Sequence, residues 1–305
     1  MRDEAEQKGV SVLAIFGPTA SGKSAVAEAV ARRVPADLIS ADSAQLYRGL
    51  PILTNQSPAA LVGIWALEQE ASVAEYQILA HEAIDAALAA GRTPVVVGGT
   101  GLYFRAALAE LDVPPAPDPE ARECWERIYD QEGADATHAL LAARDPEAAT
   151  AVHPNDRRRV VRALELAVAG HSLRGDHLWS SDVRHSTLVV GLDLPPDELN
   201  ARIEARTRAM FDSGVEEEVR HALERPLSTT ARKIMGLREV AELPRTEAET
   251  QLAARTRRFA AYQRKWMRRT PGLVTVKANR SPDEVADEIL ALARSGQRIP
   301  AGRAG

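Results

Sequence analysis

The sequence predicts an α/β protein, a parallel sheet flanked by helices and interrupted by a helical insertion. Three observations predict it. Short apolar runs alternate with helical stretches through the first third of the chain. The segment after Leu111 carries almost no β signal. Strand character then returns at residues 187–193 and 273–276. Such alternation puts helices on both faces of a parallel sheet.

The elements follow in order. Residues 10–16 (VSVLAIF) are a short apolar run read as a buried strand, and residues 22–34 a helix with Val26, Ala27, Ala29 and Val30 on its apolar side. Residues 37–41 (DLISA) form a second strand, residues 73–90 a helix closed by Gly91, and Pro94–Gly99 (PVVVGG) a third strand leading into a helix from Leu102. A proline-rich linker, Asp112–Pro119, opens a helical stretch to about residue 172. After a strand at 187–193 the chain is helical from Pro195 to Arg269, with breaks near Gly214, Pro226 and Pro244. A last strand at 273–276 precedes a helix at 282–294, and the tail GQRIPAGRAG reads as disordered. The expected domains are residues 1–111 with 186–305 as the sheet core, and 112–185 as the insertion.

Composition bounds the function. The 305 residues are 45% hydrophobic and 27% charged, with a net charge of −5, the profile of a globular protein with a sizeable core. One cysteine, Cys124, excludes an internal disulfide framework and a cysteine-based zinc finger. No run approaches the roughly 18 apolar residues of a membrane span. The polar start MRDEAEQKGV lacks the apolar stretch of a signal peptide, so a cytoplasmic protein is expected. An acidic total means that any nucleic-acid site must be a local patch.

Gly17, Pro18, Thr19, Ala20, Ser21, Gly22, Lys23 and Ser24 satisfy G-x-x-x-x-G-K-[ST] between a strand and a helix, the context that a phosphate-binding loop requires. The sheet is therefore expected to be P-loop NTPase-like. Inward N–H groups and a helix N-terminus attract a polyphosphate, Lys23 adds a cation, and Ser24 offers a hydroxyl to Mg²⁺. The motif leaves open which polyphosphate binds and whether phosphate is transferred.

Two clusters follow the second and third strands, where ligands of α/β sheets bind. Within Ser40–Gln45, Asp42 suits a metal ligand or general base, or a turn residue. Within Gly98–Gly101, Thr100 suits a hydrogen-bond donor to a reacting oxygen, or a helix cap. A kinase would be served equally well.

Basic residues concentrate twice. HPNDRRRVVR (153–162) holds four arginines behind Asp156, a predicted helix cap, and residues 255–269 hold seven cations with Phe259, Tyr262 and Trp266 on one helix face. Such runs are usually solvated faces, but two of them in an acidic chain, one with aromatics, point to RNA. His81, His138 and His171 show no metal-ligand spacing.

Together these segments resemble the tRNA dimethylallyltransferase (isopentenyltransferase) family. The carrying stretches are GPTASGKS (17–24), SADSAQLYRGL (40–50), VGGTGLYFRAAL (97–108) and HPNDRRRVVRALE (153–165), with weaker similarity at 192–219, 231–240 and 256–269. The resemblance implies transfer of a dimethylallyl group from its diphosphate to N6 of the adenine beside the anticodon of tRNA. The phosphate loop would hold the diphosphate with Mg²⁺. Asp42 would accept the N6 proton, Thr100 would line the reaction channel, and Arg122 matches a family arginine near the substrate. Asp42, Ser43, Ala44 and Gln45 would contact the tRNA at the flipped-out adenine or its neighbours, and Arg158, Arg159, Val160, Val161 and Arg162 match a tRNA-contact segment. The implied partners are the tRNA anticodon stem-loop and dimethylallyl diphosphate, with no membrane, for a monomer.

The chain also departs from the family pattern. After YRGL an aspartate and a GTAKP-like loop are usual, but the sequence reads PILTNQSP (51–58), without the lysine. An HHLID-like strand is replaced by VGIWALE (62–68), an AKRQ-like run reads Ala260-Ala261-Tyr262-Gln263, and an IGY-like stretch reads Met235-Gly236-Leu237. The alternatives are an adenylate isopentenyltransferase, a small-molecule kinase, and an RNA-binding protein with a degenerate catalytic site.

Overall fold

The computed structural model describes residues 9–113, 118–173, 180–296 and 298–299. They fall into two compact units, Met1–Glu110 with Ser181–Gly305, and Leu111–Ser180. The polar N-terminus and the centre of the proline-rich linker lie outside the described residues.

The first unit is built on five strands: β1 Val12–Phe16, β2 Ala36–Ser40, β3 Thr93–Gly98, β4 Thr187–Asp193 and β5 Val274–Lys277. All pair in parallel, in the order β2-β3-β1-β4-β5. Every residue of β1 is buried, as a central strand covered on both faces must be. The chain runs from β1 to one side and later returns to the other, so the end of β1 is the switch point where such sheets bind ligands.

The helices in chain order are α1 Lys23–Ala31, α2 Pro51–Thr54, α3 Val73–Ala89, α4 Gly101–Leu108, α5 Pro119–Glu132, α6 Ala134–Arg144, α7 Pro146–Ala151, α8 Arg157–Val168, α9 Pro196–Asp212, α10 Val215–Ala222, α11 Leu237–Glu242, α12 Arg245–Arg269 and α13 Pro282–Arg294. One core joins Leu13, Ile15 and Leu188 to α1 and α13 through Val26, Val30 and Ile289. On the opposite side Phe16 meets Phe104 of α4 edge-on at 4.9 Å.

The helical unit comprises α5 to α8. Its core includes Leu141, Val152, Val160 and Leu164, with Trp125 and Tyr129 packed against it. Asp156 caps α8 as expected, accepting the Arg159 N–H at 3.2 Å. The insertion was expected to reach residue 185, but residues 181–185 belong to the sheet unit. The reason is local. The Arg184 N–H donates to Leu108 O at 2.9 Å, its side chain meets Asp85 at 2.8 Å and Glu110 at 3.0 Å, and His185 meets Asp85. The tail is largely outside the described residues. Ile299, expected to be disordered, instead exchanges backbone hydrogen bonds with Thr187 and is 6% exposed.

The divergent segment 51–68 is tightly held. The Glu218 carboxylate accepts the Ile52 and Leu53 N–H groups at 2.6 and 2.7 Å, satisfying the N-terminus of the short α2. Trp65 is buried and lies alongside Tyr47, with the Trp65 N–H donating to Leu46 O and the Arg48 N–H to Trp65 O.

The sheet unit also shows why Gly98 follows the third strand. A Cβ there would lie 2.3 Å from the Ala41 carbonyl oxygen. Gly98→Ala is therefore expected to destabilise the chain by about 1–3 kcal/mol through overpacking. The check is a lowered urea midpoint at unchanged m-value.

Candidate active site

Three strand ends build the site. Beyond β1 the chain folds into a tight loop, with Ala20 and Gly22 both at positive φ (66° and 89°). The Ser21 N–H donates to Pro18 O at 3.1 Å, and Lys23 turns back so that Nζ donates to the same oxygen at 2.8 Å. A non-glycine residue in the left-handed region costs roughly 1–2 kcal/mol, so the loop carries strain at Ala20. Gly17 is needed for close approach, since a Cβ would lie 2.8 Å from Ser21 Oγ. The Ser21 hydroxyl is buried and without a hydrogen-bond partner. The open N-terminus of α1 completes an anion cradle.

Beyond β2, Asp42 sits in a turn of its own making, with Oδ1 accepting the Ala44 N–H at 3.0 Å. The turn role and a chemical role are therefore compatible, because one carboxylate oxygen makes the turn. The Asp42 charge acts on Lys23, Arg206, Tyr76 and Tyr103. Beyond β3, Thr100 precedes α4 but makes no side-chain cap. Its Oγ1 lies 3.4 Å from both the N and Oγ of Ser43, joining the second and third strand ends.

Electrostatics concentrates here. Burial pushes the Lys23 ammonium down to about 8, against the pull of Asp42 and with a push from Arg206. Burial likewise lowers Arg206, which Asp42 partly restores. Burial raises the phenols of Tyr76 and Tyr103, so both stay neutral donors. The arrangement is two partly desolvated cations and helix N–H groups beside one carboxylate. Such a set can stabilise a departing polyphosphate while the carboxylate takes a proton.

Arg206 carried no assigned role in the sequence. The available signal was helical spacing: Arg202 and Arg206 are four residues apart on α9, on the turn that also buries Ile203 and Thr207. Arg202 Nη1 lies 3.7 Å from the Cβ position of Gly22, so this helix lies against the loop. Gln263 is the second residue without a role in the sequence. It is 1% exposed, its Oε1 accepts the Thr19 N–H at 2.8 Å, and its Nε2 donates to Gly99 O at 2.8 Å.

Other expected site residues take different places. Gln45 directs its amide inward, with Nε2 donating to Asn55 O at 2.8 Å and Oε1 accepting from the Ser40 hydroxyl at 2.9 Å. Its side chain holds the 51–56 segment. Ala44 and Ser43 are half-buried beside it. Arg122 belongs to the helical unit, where its Nε donates to Glu126 at 3.2 Å. On α8, Val160 belongs to the helical core and Val161 is also buried, at 0% and 1% exposure. Arg162 pairs at 2.5 Å with Glu165, itself buried, and Arg157 grips Asp130 at 2.7 and 2.8 Å. Arg158 and Arg159 remain exposed; Arg158 pairs with no acid among the described residues, and Arg159 only approaches Asp156 at 3.8 Å. On α12, Arg255, Arg257 and Arg264 pair with Glu239, Glu204 and Asp193, leaving Arg258, Lys265 and Arg268 exposed beside Tyr262.

Among the described residues no cluster of three His, Cys, Asp or Glu could hold a metal ion, and no helix is long and apolar enough to cross a membrane.

A bound anion favours protonated Lys23. Diphosphate affinity is thus expected to hold steady below the Lys23 titration at about 8 and to fall by up to about tenfold per pH unit above it. Isothermal titration calorimetry across that range checks this, and Lys23→Met should lose the dependence.

Two family models match: "IPP transferase" over residues 45–270 and "Isopentenyl transferase" over residues 10–60. The chain is 39% identical over 290 residues to a tRNA dimethylallyltransferase of Corynebacterium jeikeium, covering 90% of this chain and 93% of the relative. It is 41% identical over 286 residues to one of Thermobifida fusca, covering 86% and 88%. Among solved structures, the tRNA isopentenylpyrophosphate transferase of Bacillus halodurans matches with a TM-score of 0.66 at 29% identity, over 94% of this chain and 97% of that one. A eukaryotic dimethylallyltransferase acting on tRNA shares the fold, with a TM-score of 0.73 at 22% identity, over 97% and 82%. A parallel sheet with a phosphate loop at its switch point, matched over three quarters of its length by one family model and by relatives near 40% identity, makes this chain a transferase of the IPP transferase family.

Proposed function

We propose that the chain transfers a dimethylallyl group from dimethylallyl diphosphate to N6 of the adenine adjacent to the anticodon in tRNA. The observation that carries this reading is the Lys23 loop after β1, where Lys23 Nζ donates to Pro18 O and the Asp42 carboxylate acts on the desolvated cations Lys23 and Arg206. Relatives named for the same activity support it.

In this reading the loop 17–24, Lys23 and Arg206 hold the diphosphate. The adenine N6 bonds to C1 of the dimethylallyl group as the C1–oxygen bond breaks, and the diphosphate leaves with the bonding electrons. Asp42 takes the N6 proton. Thr100, tied to Ser43, borders the reacting centre. The Tyr103 and Tyr76 phenols stay protonated, so they add no competing base.

Mg²⁺ fits this site only in company with the diphosphate. The chain offers the Ser24 hydroxyl but no carboxylate or imidazole cluster among the described residues, and Mg²⁺ commonly takes its remaining ligands from substrate phosphates and water. Bound there, it would neutralise charge on the leaving diphosphate. Arg158 and Arg159 are the α8 cations assigned to tRNA phosphates, and Arg122 is assigned a place near the substrate. The reading is of a cytoplasmic enzyme acting as a monomer.

The deciding experiment is single-turnover transfer from radiolabelled dimethylallyl diphosphate with unmodified tRNA and AMP in parallel. Label on tRNA alone is expected. Label on AMP would make the chain an adenylate isopentenyltransferase, and no label with tRNA still bound would leave an RNA-binding protein.

Two variants sharpen the roles. Asp42→Ala is expected to slow transfer by about 10²- to 10⁴-fold, the usual contribution of a general base, with tRNA affinity intact. Substantial residual turnover in single-turnover assays would remove Asp42 from that role. Replacing Arg158 and Arg159 with glutamine should weaken tRNA binding and reduce its log–log salt slope by about 0.7–0.9 for each lost phosphate contact. An unchanged slope in filter-binding titrations would return both arginines to the solvated surface.

A further inference from the structure

Residues 263 and 264 of α12 touch the ends of the three central strands. Gln263 accepts the Thr19 N–H in the loop after β1 and donates to Gly99 O after β3, both at 2.8 Å. Arg264 Nη2 donates to Asp193 at the end of β4 at 3.0 Å, and to Leu194 O. These contacts reach across 244, 164 and about 70 residues of sequence. One turn onward, Trp266 lies flat against Gly101, where a Cβ would come 2.0 Å from the ring. Gly99 is equally constrained, because a Cβ there would lie 2.3 Å from Gln263 Nε2. Two glycines of the turn after β3 thus leave room for α12.

We propose that Gln263 is a positioning residue that holds the phosphate loop and the β3–α4 turn in register, so that donor and acceptor meet in line. The proposal rests on the loop holding the donor diphosphate. Its logic is preorganisation. Lys23 lies four residues beyond Thr19, and Thr100 directly follows Gly99. A single planar amide with one acceptor and one donor therefore fixes the spacing of the two groups that flank the reacting centre. Without it, the Thr19 N–H and the Gly99 carbonyl would face each other's neighbourhood unpaired, and both loops would relax independently. A side chain that only filled space would need no amide. One that only bound phosphate would not reach Gly99.

Single-turnover and steady-state kinetics on the full chain test this with Q263M and Q263E. Q263M keeps the length but loses both strong bonds; kcat is expected to fall about a hundredfold, the cost of ångström-scale misplacement, with the KM for tRNA unchanged. In Q263E the ionised carboxylate still accepts from Thr19 but repels Gly99 O. Protonation restores a donor, so the ratio of Q263E to wild-type rate should rise as pH falls. Thermal midpoints measured at each pH separate this from loss of folded protein. A folded Q263M with wild-type kcat, a loss confined to KM, or a Q263E ratio flat with pH would overturn the proposal. So would failure of both variants to fold, which would make Gln263 a residue of the core alone. A wild-type chain that transfers no prenyl group overturns the functional reading and this proposal with it. An active wild type matched by Q263M overturns the proposal alone.

Discussion

Backbone reaches backbone at the carboxyl ends of β1, β2 and β3 only because certain residues there lack a side chain. Gly17 lets Ser21 fold over the loop, Gly98 lets β3 end against Ala41, and Gly99 and Gly101 admit Gln263 and Trp266 of α12. Each added methyl would meet an atom at 2.0–2.8 Å, well inside contact distance. Those positions set the spacing of everything that carries charge. Asp42 follows β2, Lys23 follows the loop after β1, and Thr100 follows β3, so a shift at any glycine moves one partner relative to the others. Of these glycines only Gly17 lies in the loop after β1. The rest serve the packing that keeps the site narrow.

Charge within that frame is poised for an anion. Burial works against the protonated forms of both Lys23 and Arg206, Arg206 lowers Lys23 further, and the Asp42 charge favours both protonated forms. Desolvated cations gain most from a partner of opposite sign, since attraction grows as the local dielectric falls. An anion entering the loop would offset the charge on both cations. The same burial keeps Tyr76 and Tyr103 neutral.

How much of this was legible in the sequence differs from part to part. The loop was legible because its chemistry is local: eight consecutive residues between a strand and a helix fix the motif. The parallel sheet flanked by helices was legible because strand–helix alternation is a periodic signal. Gln263 and Arg206 were not, because their roles exist only after α9 and α12 pack beside β1, and one glutamine in a basic helix carries no periodic mark. Charge counting also does not show which cations of the two basic runs are paired within the chain. Arg157, Arg162, Arg255, Arg257 and Arg264 have acidic partners 3 to 71 residues away, and a run of arginines does not show its partners. Val160 and Val161 illustrate the same limit, since both are buried while Arg158 and Arg159 are exposed.

The departures at 51–68 fall on a part of the chain that is scaffolded independently of the charged centre. Glu218 holds the start of α2, Gln45 holds Thr54 and Asn55, Gln56 holds Tyr47 O, and Trp65 is buried beside Tyr47. Burial raises the Glu218 carboxyl despite two N–H bonds, so desolvation outweighs what those bonds return. A group kept under that penalty is kept for where it holds the backbone. None of these bonds involves Lys23, Asp42, Arg206 or Thr100. The stretch PILTNQSP, which lacks the family lysine, therefore lies in a segment held by its own hydrogen bonds. These bonds anchor the divergent segment to α10 and to the turn after β2.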